Sequence, residues 1–146
     1  WRQIFWVEPD ESYPVVFREG QGYFKWDNIE IETFPVQHVR WFSSLGIIVK
    51  YAGKKLVYTG DIGSKHDFGD IAAKSKSADL LITEVSYERS TPNHYSIDQV
   101  ERLVKFAKVK GVLVVHSRPQ HLKMIEQFCQ KRSNFILGKD GLKLTI

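Results

Sequence analysis

The chain has 146 residues, 42% of them hydrophobic, with nine Phe and four Trp. This is enough apolar material for the core of one domain, and it excludes a disordered or low-complexity chain. The single cysteine, Cys129, excludes a disulfide framework and a Cys-rich zinc module. A formal charge of +4 is a weak indication of an anionic partner, because 21 cations are balanced by 17 anions. No apolar run approaches the roughly 18 residues of a transmembrane helix and no signal peptide is visible, so we expect a cytoplasmic protein with no membrane partner.

The first part of the chain has the pattern of a strand meander. Short segments rich in β-branched or aromatic residues are separated by Gly, Asn and Asp, and this predicts strands. They are predicted over residues 14–17, 22–26 and 29–36. The third is amphipathic, since one face carries Ile29, Ile31 and Thr33 while the other is mostly charged. Apolar runs at 45–51 and 56–58 flank the sequence Gly-Lys-Lys and predict a hairpin.

The second part of the chain alternates between helices and buried strands. A short helix is predicted over 67–76, and the consecutive apolar residues of ADLLITEVS predict a buried strand. Ser96 and Gln99 fit a capping box that begins a helix, and Gly111 is predicted to end it. The run VLVVH predicts another buried strand, Pro119 begins a further helix, and NFILGKDGLKLTI predicts a strand, a turn and a strand. This order predicts an α/β fold, a mixed sheet with helices on one face.

Polar side chains stand at the ends of three predicted strands. His38 follows the third strand, Asp61 follows the hairpin, and His116 ends VLVVH. Polar residues at the ends of buried strands often converge at one edge of a sheet, where ligands bind. Imidazole and carboxylate together suit Zn²⁺, or alternatively Mn²⁺ or Fe, although each residue alone also fits a solvated loop. His66 and His121 lie outside this pattern and are predicted to be surface side chains.

Five short motifs follow one another between residues 28 and 120. They are His38 with Ser44 and Gly46, Gly60 with Asp61, Glu84 in TEVS, His94 in HYS, and His116 after VLVV. In this order and at these separations they resemble the C-terminal half of the metallo-β-lactamase superfamily, and in particular its phosphodiesterase branch, which includes ribonuclease Z. The resemblance implies that the predicted sheet is half of an αββα sandwich.

The resemblance also implies roles for these residues. His38 and Asp61 would bind one divalent metal ion, and Asp61 and His116 a second, with zinc as the expected metal and manganese or iron as alternatives. The pair of ions would convert a shared water into a hydroxide nucleophile. His94 would be the general acid that protonates the leaving alkoxide. Glu84 would orient His94, or equally be a strand-end acid that caps a loop.

One segment of the family pattern is absent. The chain lacks the His-x-His-x-Asp-His loop, which by the resemblance supplies four of seven ligand residues and lies N-terminal to the motifs found here. With two protein ligands for each ion, this chain alone is predicted to hold no tight dinuclear centre and to be inactive. Three explanations remain open: the other half belongs to the same longer enzyme, a second polypeptide carries the loop, or the chain is a metal-free interaction subunit.

We interpret residues 1–146 as a single domain that corresponds to the C-terminal half of the fold. A half left alone would expose the sheet face that the other half covers, so we expect this chain to pack against a complementary partner. The expected partner is the missing N-terminal half or a complementing chain, and we also expect a homo-oligomer.

The predicted reaction is the hydrolysis of phosphodiesters, because TEVS and HYS are typical of the phosphodiesterase branch. RNA and a small cyclic nucleotide are both open as substrates, and hydrolysis of another ester or a lactone is the alternative within the superfamily. Arg40 and Arg118 are predicted to contact phosphate, because guanidinium groups pair with it in a bidentate manner. Ser44 joins them as a substrate-binding residue, and either arginine could equally be an ordinary surface residue.

Overall fold

The structure is a computed structural model that describes residues 22–41 and 43–146. These residues form a seven-stranded sheet with three α-helices and a short 3₁₀ helix. The strands are β1 Tyr23–Trp26, β2 Ile29–Val36, β3 Ser44–Tyr51, β4 Lys54–Tyr58, β5 Leu80–Glu84, β6 Gly111–Val115 and β7 Phe135–Leu137. The helices are α1 Phe68–Ser75, α2 Ile97–Ala107 and α3 Leu122–Gln130, with the 3₁₀ helix at Pro119–His121. The strand predicted over residues 14–17 lies outside the described residues.

The strand order in the sheet follows the chain from β1 to β7. Neighbours from β1 to β4 are antiparallel, and neighbours from β4 to β7 are parallel. Parallel neighbours require a crossover connection, and α1, α2 and α3 form the three crossovers. Because the order advances in one direction, right-handed crossovers place all three helices on the same face. The mixed sheet with helices on one face is therefore confirmed.

The helix-covered face of the sheet carries the core. Alternate residues of the central strands lie under the helices, and Val57, Leu81 and Val112 are fully buried there. From α2, Val100 and Leu103 pack into the same cluster at helical spacing. The periodic apolar residues predicted for the second half of the chain are thus the residues that join the helices to the sheet.

The opposite face of the sheet is apolar, and the three described helices leave it uncovered. In β2 the strand predicted to be amphipathic turns Phe34 and Val36 to the core, and its Ile29 and Ile31 belong to this open face. Partly exposed apolar residues continue the open face across the sheet. They are Ile47, Val49, Leu56, Ile82, Leu113, Val115 and Ile136. A sheet face of this kind is typical of one layer of a two-layer packing.

Helix α2 begins as predicted and ends earlier than predicted. The Ser96 hydroxyl accepts a hydrogen bond from the Gln99 amide and the Gln99 side chain accepts one from the Ser96 amide, so the capping box is confirmed. Lys108, at φ 53°, ends the helix in a left-handed conformation. The prediction that Gly111 ends it is wrong, because Gly111 already pairs with Leu80 as the first residue of β6.

None of the described helices is long and apolar enough to cross a membrane.

The C-terminal strand predicted after the Gly-Lys-Asp-Gly turn does not form. The turn itself is present, since the Leu142 amide donates to the Lys139 carbonyl at 3.0 Å. Beyond it, Leu142 and Leu144 line a hollow on the open face together with Leu113. The alternation of apolar residues in this segment therefore serves side-chain packing on the sheet surface, and the segment makes no strand ladder among the described residues.

Candidate active site

The motif residues meet at one edge of the sheet. Strands β2, β4, β5 and β6 all run in the same direction, because β2 and β4 are each antiparallel to β3 and the later strands are parallel to β4. Their C-terminal ends therefore lie at the same edge. His38, Asp61 and His116 follow β2, β4 and β6, and Glu84 is the last residue of β5. The convergence predicted from strand ends is confirmed.

The carboxylate of Asp61 lies between two imidazoles. Its Oδ2 atom is 3.8 Å from His38 Nε2 and 3.6 Å from His116 Nε2. The Asp61 side chain is about one-third exposed and that of His38 is nearly buried, whereas 59% of the His116 side chain is exposed. The structure thus brings together the three residues predicted as metal ligands, with the carboxylate in the central position.

The orientation of His38 is fixed by the chain around His94. His38 Nδ1 lies 2.7 Å from the Asn93 carbonyl oxygen, a hydrogen bond in which the ring donates. A neutral imidazole that donates from Nδ1 has its lone pair on Nε2, the atom that faces Asp61. This is the arrangement that metal-binding histidines commonly adopt, since the second ring nitrogen is held by a backbone oxygen.

A glycine turn aims Asp61 at the edge of the sheet. Gly60 has φ +60°, in the left-handed region where a residue with a side chain is strained. The Thr59 hydroxyl donates to the Gly60 carbonyl at 2.8 Å and so braces the same turn. The Gly-Asp pair seen in the sequence is therefore a sharp exit from β4 that turns Asp61 toward the other strand ends.

His116 has a left-handed backbone at the end of β6. Its φ is +54°, an uncommon value for a residue with a side chain and one that is often found at functional sites. The Ser86 hydroxyl lies 3.0 Å from the His116 carbonyl oxygen and 2.6 Å from Glu84 Oε2, so its one hydrogen is shared between these two acceptors. Its ring is stacked on that of His94, with centroids 6.3 Å apart and planes 11° from parallel. The backbone turn thus presents an exposed imidazole beside the other site residues.

His94 and Glu84 form a tightly coupled dyad. His94 Nδ1 donates to Glu84 Oε2 at 2.6 Å, and the Glu84 side chain is fully buried. With Nδ1 occupied in this way, Nε2 is the ring nitrogen left for a substrate or an ion. The rings of His94 and His38 are in edge contact, with centroids 5.0 Å apart. The prediction that Glu84 orients His94 agrees with this geometry.

Glu84 also ties the site segments together. Its Oε1 accepts from the Ile62 amide at 2.9 Å, and its Oε2 accepts from the Ser86 hydroxyl at 2.6 Å. Burial raises the pKa of the Glu84 carboxyl above its usual range, although the hydrogen bonds from Ser86, His94 and Ile62 oppose the shift. One buried side chain thus fixes the residue after Asp61, the ring of His94 and, through Ser86, the backbone of His116.

The donor set fits a divalent metal ion. Ligand atoms of His38, Asp61 and His94 all lie within 4.8 Å of one another. Two ligand atoms that are each about 2.1 Å from a zinc ion are separated by at most about 4.2 Å. The imidazole-to-carboxylate distances of 3.8 Å and 3.6 Å on the two sides of Asp61 satisfy this limit. Neutral imidazole with a carboxylate is a donor set that suits zinc, manganese or iron.

The predicted substrate-binding residues surround this edge less closely. Ser44 is the first residue of β3 and pairs with Val36, just before His38. Arg40 is exposed in the turn after His38. Arg118 is exposed and its guanidinium lies 4.6 Å from the ring centroid of Tyr87. None of the contacts described for these three residues joins them to an imidazole of the site.

Three residues near the site had no predicted role. The prediction that His66 is a surface side chain is wrong, because only 9% of it is exposed and its Nδ1 accepts from the Gln37 amide. Ser86 lies two positions after Glu84 in TEVS, a spacing that the sequence displays but that identifies no partner. Tyr87 packs between His94 and His121, with ring centroids 5.4 Å and 5.7 Å away. These contacts join distant segments, which a reading of local pattern does not reveal.

Sequence comparison identifies the family. Residues 4–137 match the model of the beta-lactamase superfamily domain. A curated relative is the ribonuclease Z of Pyrococcus furiosus, which is 34% identical over 76 residues, 49% of this chain and 24% of that protein. The chain therefore spans about a quarter of that relative, and the aligned residues support a likeness to the ribonuclease Z branch.

Solved structures share the fold. The metallo-beta-lactamase fold protein YhfI from Bacillus subtilis has a TM-score of 0.68 at 20% identity, covering 88% of this chain and 54% of its own. A diphosphatase from the PhnP family has a TM-score of 0.67 at 18% identity, covering 88% of this chain and 47% of its own. The chain thus spans about half of each of these proteins. With the family model matching most of its length, this chain belongs to the beta-lactamase superfamily and has its hydrolase fold.

Proposed function

We propose that this chain supplies part of the active site of a metal-dependent phosphodiesterase whose substrate is RNA or a small nucleotide. The observation that carries the proposal is the position of the Asp61 carboxylate between the imidazoles of His38 and His116, at 3.8 Å and 3.6 Å. The buried dyad of His94 and Glu84 stands beside it. A carboxylate flanked by two imidazoles offers ligands for metal ions, and the oriented His94 beside it offers an acid, which together match the needs of hydrolysis at a charged ester.

The residues that would hold the metal are His38 and Asp61 for one ion, and Asp61 and His116 for the other. Divalent ions bound there would polarise a phosphoryl oxygen and acidify a water molecule. With His94 assigned as the acid, each ion would have two ligands among the described residues, and catalytic zinc normally has three from the protein. We propose that the remaining ligands come from another segment of the whole protein or from a complementing chain.

His94 has the chemistry of a general acid. Glu84 accepts a hydrogen bond from the Nδ1–H of His94, so a protonated His94 can donate its other ring proton from Nε2 to a leaving alkoxide. The negative charge of Glu84 stabilises that imidazolium, and burial leaves no solvent to compete for the hydrogen bond. The role of Glu84 in this proposal is to hold the ring and its proton, as the carboxylate does in other histidine-based sites.

The substrate phosphate would lie on the exposed side of the dyad. Arg118 is placed beside Tyr87, whose ring contacts His94 at 5.4 Å between centroids. A guanidinium held on an aromatic face keeps its N–H groups free to bind phosphate oxygens. Arg40 and Ser44 follow His38 in the chain and would complete the phosphate contacts. Similarity to a ribonuclease Z and to a diphosphatase supports a substrate with phosphorus–oxygen bonds.

We propose that the open face of the sheet is the surface on which the other half of the fold packs. Its apolar strand residues are partly exposed, and the relatives that share the fold are about twice as long as the matched region. A second layer packed on this face would bury those residues and bring further ligands to the same edge of the sheet. This second layer is either another part of the same protein or a complementing chain.

Two substrates test the roles of Asp61 and His94 separately in the full-length protein. Bis-p-nitrophenyl phosphate releases p-nitrophenolate, a leaving group that needs no proton, whereas a ribonucleotide phosphodiester releases an alkoxide, which does. We expect Asp61→Ala to abolish turnover of both substrates and to remove metal. We expect His94→Ala to slow alkoxide release by about 10²-fold or more, with a much smaller effect on p-nitrophenolate release and with metal retained.

Equal effects of His94→Ala on the two substrates would contradict the acid role. Full activity of Asp61→Ala would contradict the proposal as a whole. A protein that binds no divalent metal and hydrolyses neither substrate would favour the metal-free interaction subunit. Hydrolysis of a carboxylic ester or lactone, with neither phosphodiester cleaved, would favour the other superfamily chemistry.

A further inference from the structure

We propose that His66 is a positioning residue that fixes the metal-binding imidazole of His38 through the peptide of Gln37. This inference rests on the proposed function, because it assigns His66 a task in holding a ligand. His66 belongs to none of the five family motifs found in the sequence. The contacts of its ring and of the segment before it carry the argument.

The backbone of Gln37 is held at both of its polar groups. The Gln37 amide donates to His66 Nδ1 at 3.2 Å, and the Gly63 amide donates to the Gln37 carbonyl at 2.7 Å. His38 is the next residue in the chain, so the plane of the peptide that precedes it is set by these two bonds. Residues 63–66 therefore hold the backbone of Gln37, the residue that precedes His38.

The tautomer of His66 follows from this contact. Because Nδ1 accepts a hydrogen bond from the Gln37 amide, the ring proton of neutral His66 is on Nε2. Nε2 is buried and makes no hydrogen bond with a described residue, although Asp70 Oδ2 lies 3.3 Å from it, one helical turn along the chain. Asp70 belongs to the first turn of α1, whose amide at that residue is capped by Asp67. The hydrogen bond from the Gln37 amide thus joins the His66 ring to the segment that precedes His38.

The same segment also places Asp61. The Ile62 amide is bound by Glu84 at 2.9 Å, and the His66 amide donates to the Gly63 carbonyl at 3.0 Å, which closes a turn. Gly63 packs so closely that an added Cβ would lie 2.2 Å from the Pro92 carbonyl oxygen. A closely packed segment of this kind links Asp61 at one end to the contacts with the Gln37 backbone at the other. His66 therefore helps to set the 3.8 Å separation between the ligand atoms of Asp61 and His38.

A pair of substitutions in the full-length protein separates the accepting atom from the bulk of the ring. His66→Asn places an amide oxygen where Nδ1 stands and keeps the acceptor, whereas His66→Leu fills similar space without one. Asp67→Ala is the matched control, because it removes the cap of α1 one residue away and leaves the Gln37 amide untouched. The two readouts are hydrogen exchange at the Gln37 amide in metal-free protein and zinc affinity by competition with a chelator.

For His66→Leu we expect exchange at the Gln37 amide to accelerate by at least about tenfold and zinc affinity to fall by about 10- to 100-fold, the usual cost of losing an outer support of a metal ligand. We expect His66→Asn to stay near the parent in both readouts. Asp67→Ala should lower the melting temperature while leaving both readouts near the parent.

Parental values of both readouts in His66→Leu would overturn the positioning role, as would an equal loss in His66→Asn and His66→Leu. A parent protein that binds no zinc would overturn the proposed function and with it the ligand-holding role. A parent that binds zinc with an affinity that His66→Leu leaves unchanged would overturn this inference alone.

Discussion

The two ends of β5 carry carboxylates in opposite environments. Glu84, at the C-terminal end, is buried among hydrogen-bond donors, and burial raises the pKa of its carboxyl. Asp79, just before the strand, accepts hydrogen bonds from the Lys110 ammonium and the Lys55 amide, both at 2.8 Å. The Lys110 contact is the main cause that lowers the pKa of the Asp79 carboxyl. The same functional group is thus disfavoured in its charged form at one edge of the sheet and favoured at the other.

This contrast separates the part of the molecule that serves chemistry from the part that serves folding. Burying a carboxylate costs free energy, which hydrogen bonds only partly return, so Glu84 is held at the expense of stability. Asp79 joins a strand end, a hairpin and the start of β6 through favourable contacts. We therefore expect substitutions at the two positions to have opposite profiles in activity and stability.

The largest effect is expected for Glu84→Gln. The amide keeps the size of the side chain but offers one acceptor oxygen, which cannot accept from both the Ile62 amide and His94 Nδ1, so the acid loses its orientation and the stabilising charge. Turnover of an alkoxide-releasing phosphodiester should fall by about 10²-fold or more, while the melting temperature falls only modestly, because the amide loses an accepting contact but no longer carries the cost of a buried charge. Parallel assays of turnover and thermal unfolding check this, and a large loss of stability with unchanged turnover would reverse the assigned roles.

Ser86→Ala should give a smaller effect at the same edge. The hydroxyl contacts Glu84 at 2.6 Å and the His116 carbonyl at 3.0 Å, so its removal loosens the left-handed turn of His116. We expect a loss of about 1 kcal/mol in the free energy of unfolding, typical of a lost buried hydrogen bond, and zinc affinity weakened by about tenfold. Denaturant titration and chelator competition measure the two, and an unchanged zinc affinity would show that His116 needs no such support.

Asp79→Asn should affect stability and leave turnover intact. The folded-state pKa of Asp79 lies below its unfolded value, so its stabilisation is present above the unfolded pKa of about 3.9 and is lost as the pH falls through the folded pKa. The variant should therefore melt below the parent at pH 7, and the difference should shrink below about pH 4. A difference that stays constant with pH would show that the charge of Asp79 is not its source.

The smallest effect is expected for Lys110→Ala, because an exposed lysine contributes little to an ion pair in water. The variant should raise the pKa of the Asp79 carboxyl toward its usual range, since the main cause of its lowering is gone. A titration of the Asp79 carboxyl signal by NMR measures this shift. Zinc affinity should not change, and a change would show that the two edges of the sheet are coupled.

Local patterns sufficed for much of the fold and for the central residues of the site. The predicted range of β2, the hairpin and the capping box of Ser96 with Gln99 are confirmed, because each depends on residues close together in the chain. The strand-end residues His38, Asp61 and His116 could be predicted to converge, because strands that run in the same direction end at the same edge.

The remaining features depend on contacts between distant segments. The end of α2 at Lys108 follows from the register of β6, and the packing of Leu142 and Leu144 on the open face replaces a predicted strand. The burial of His66 depends on the Gln37 amide, 29 positions away in the chain. No periodicity or spacing in the sequence identifies such partners.

Anomalous diffraction from crystals of the full-length protein grown with zinc would show whether Asp61 binds metal ions, and where. We expect metal peaks in contact with the Asp61 carboxylate, one on the side of His38 and one on the side of His116. Absence of metal from the Asp61 carboxylate at saturating zinc would contradict the account, as would ions bound only at residues outside this edge of the sheet.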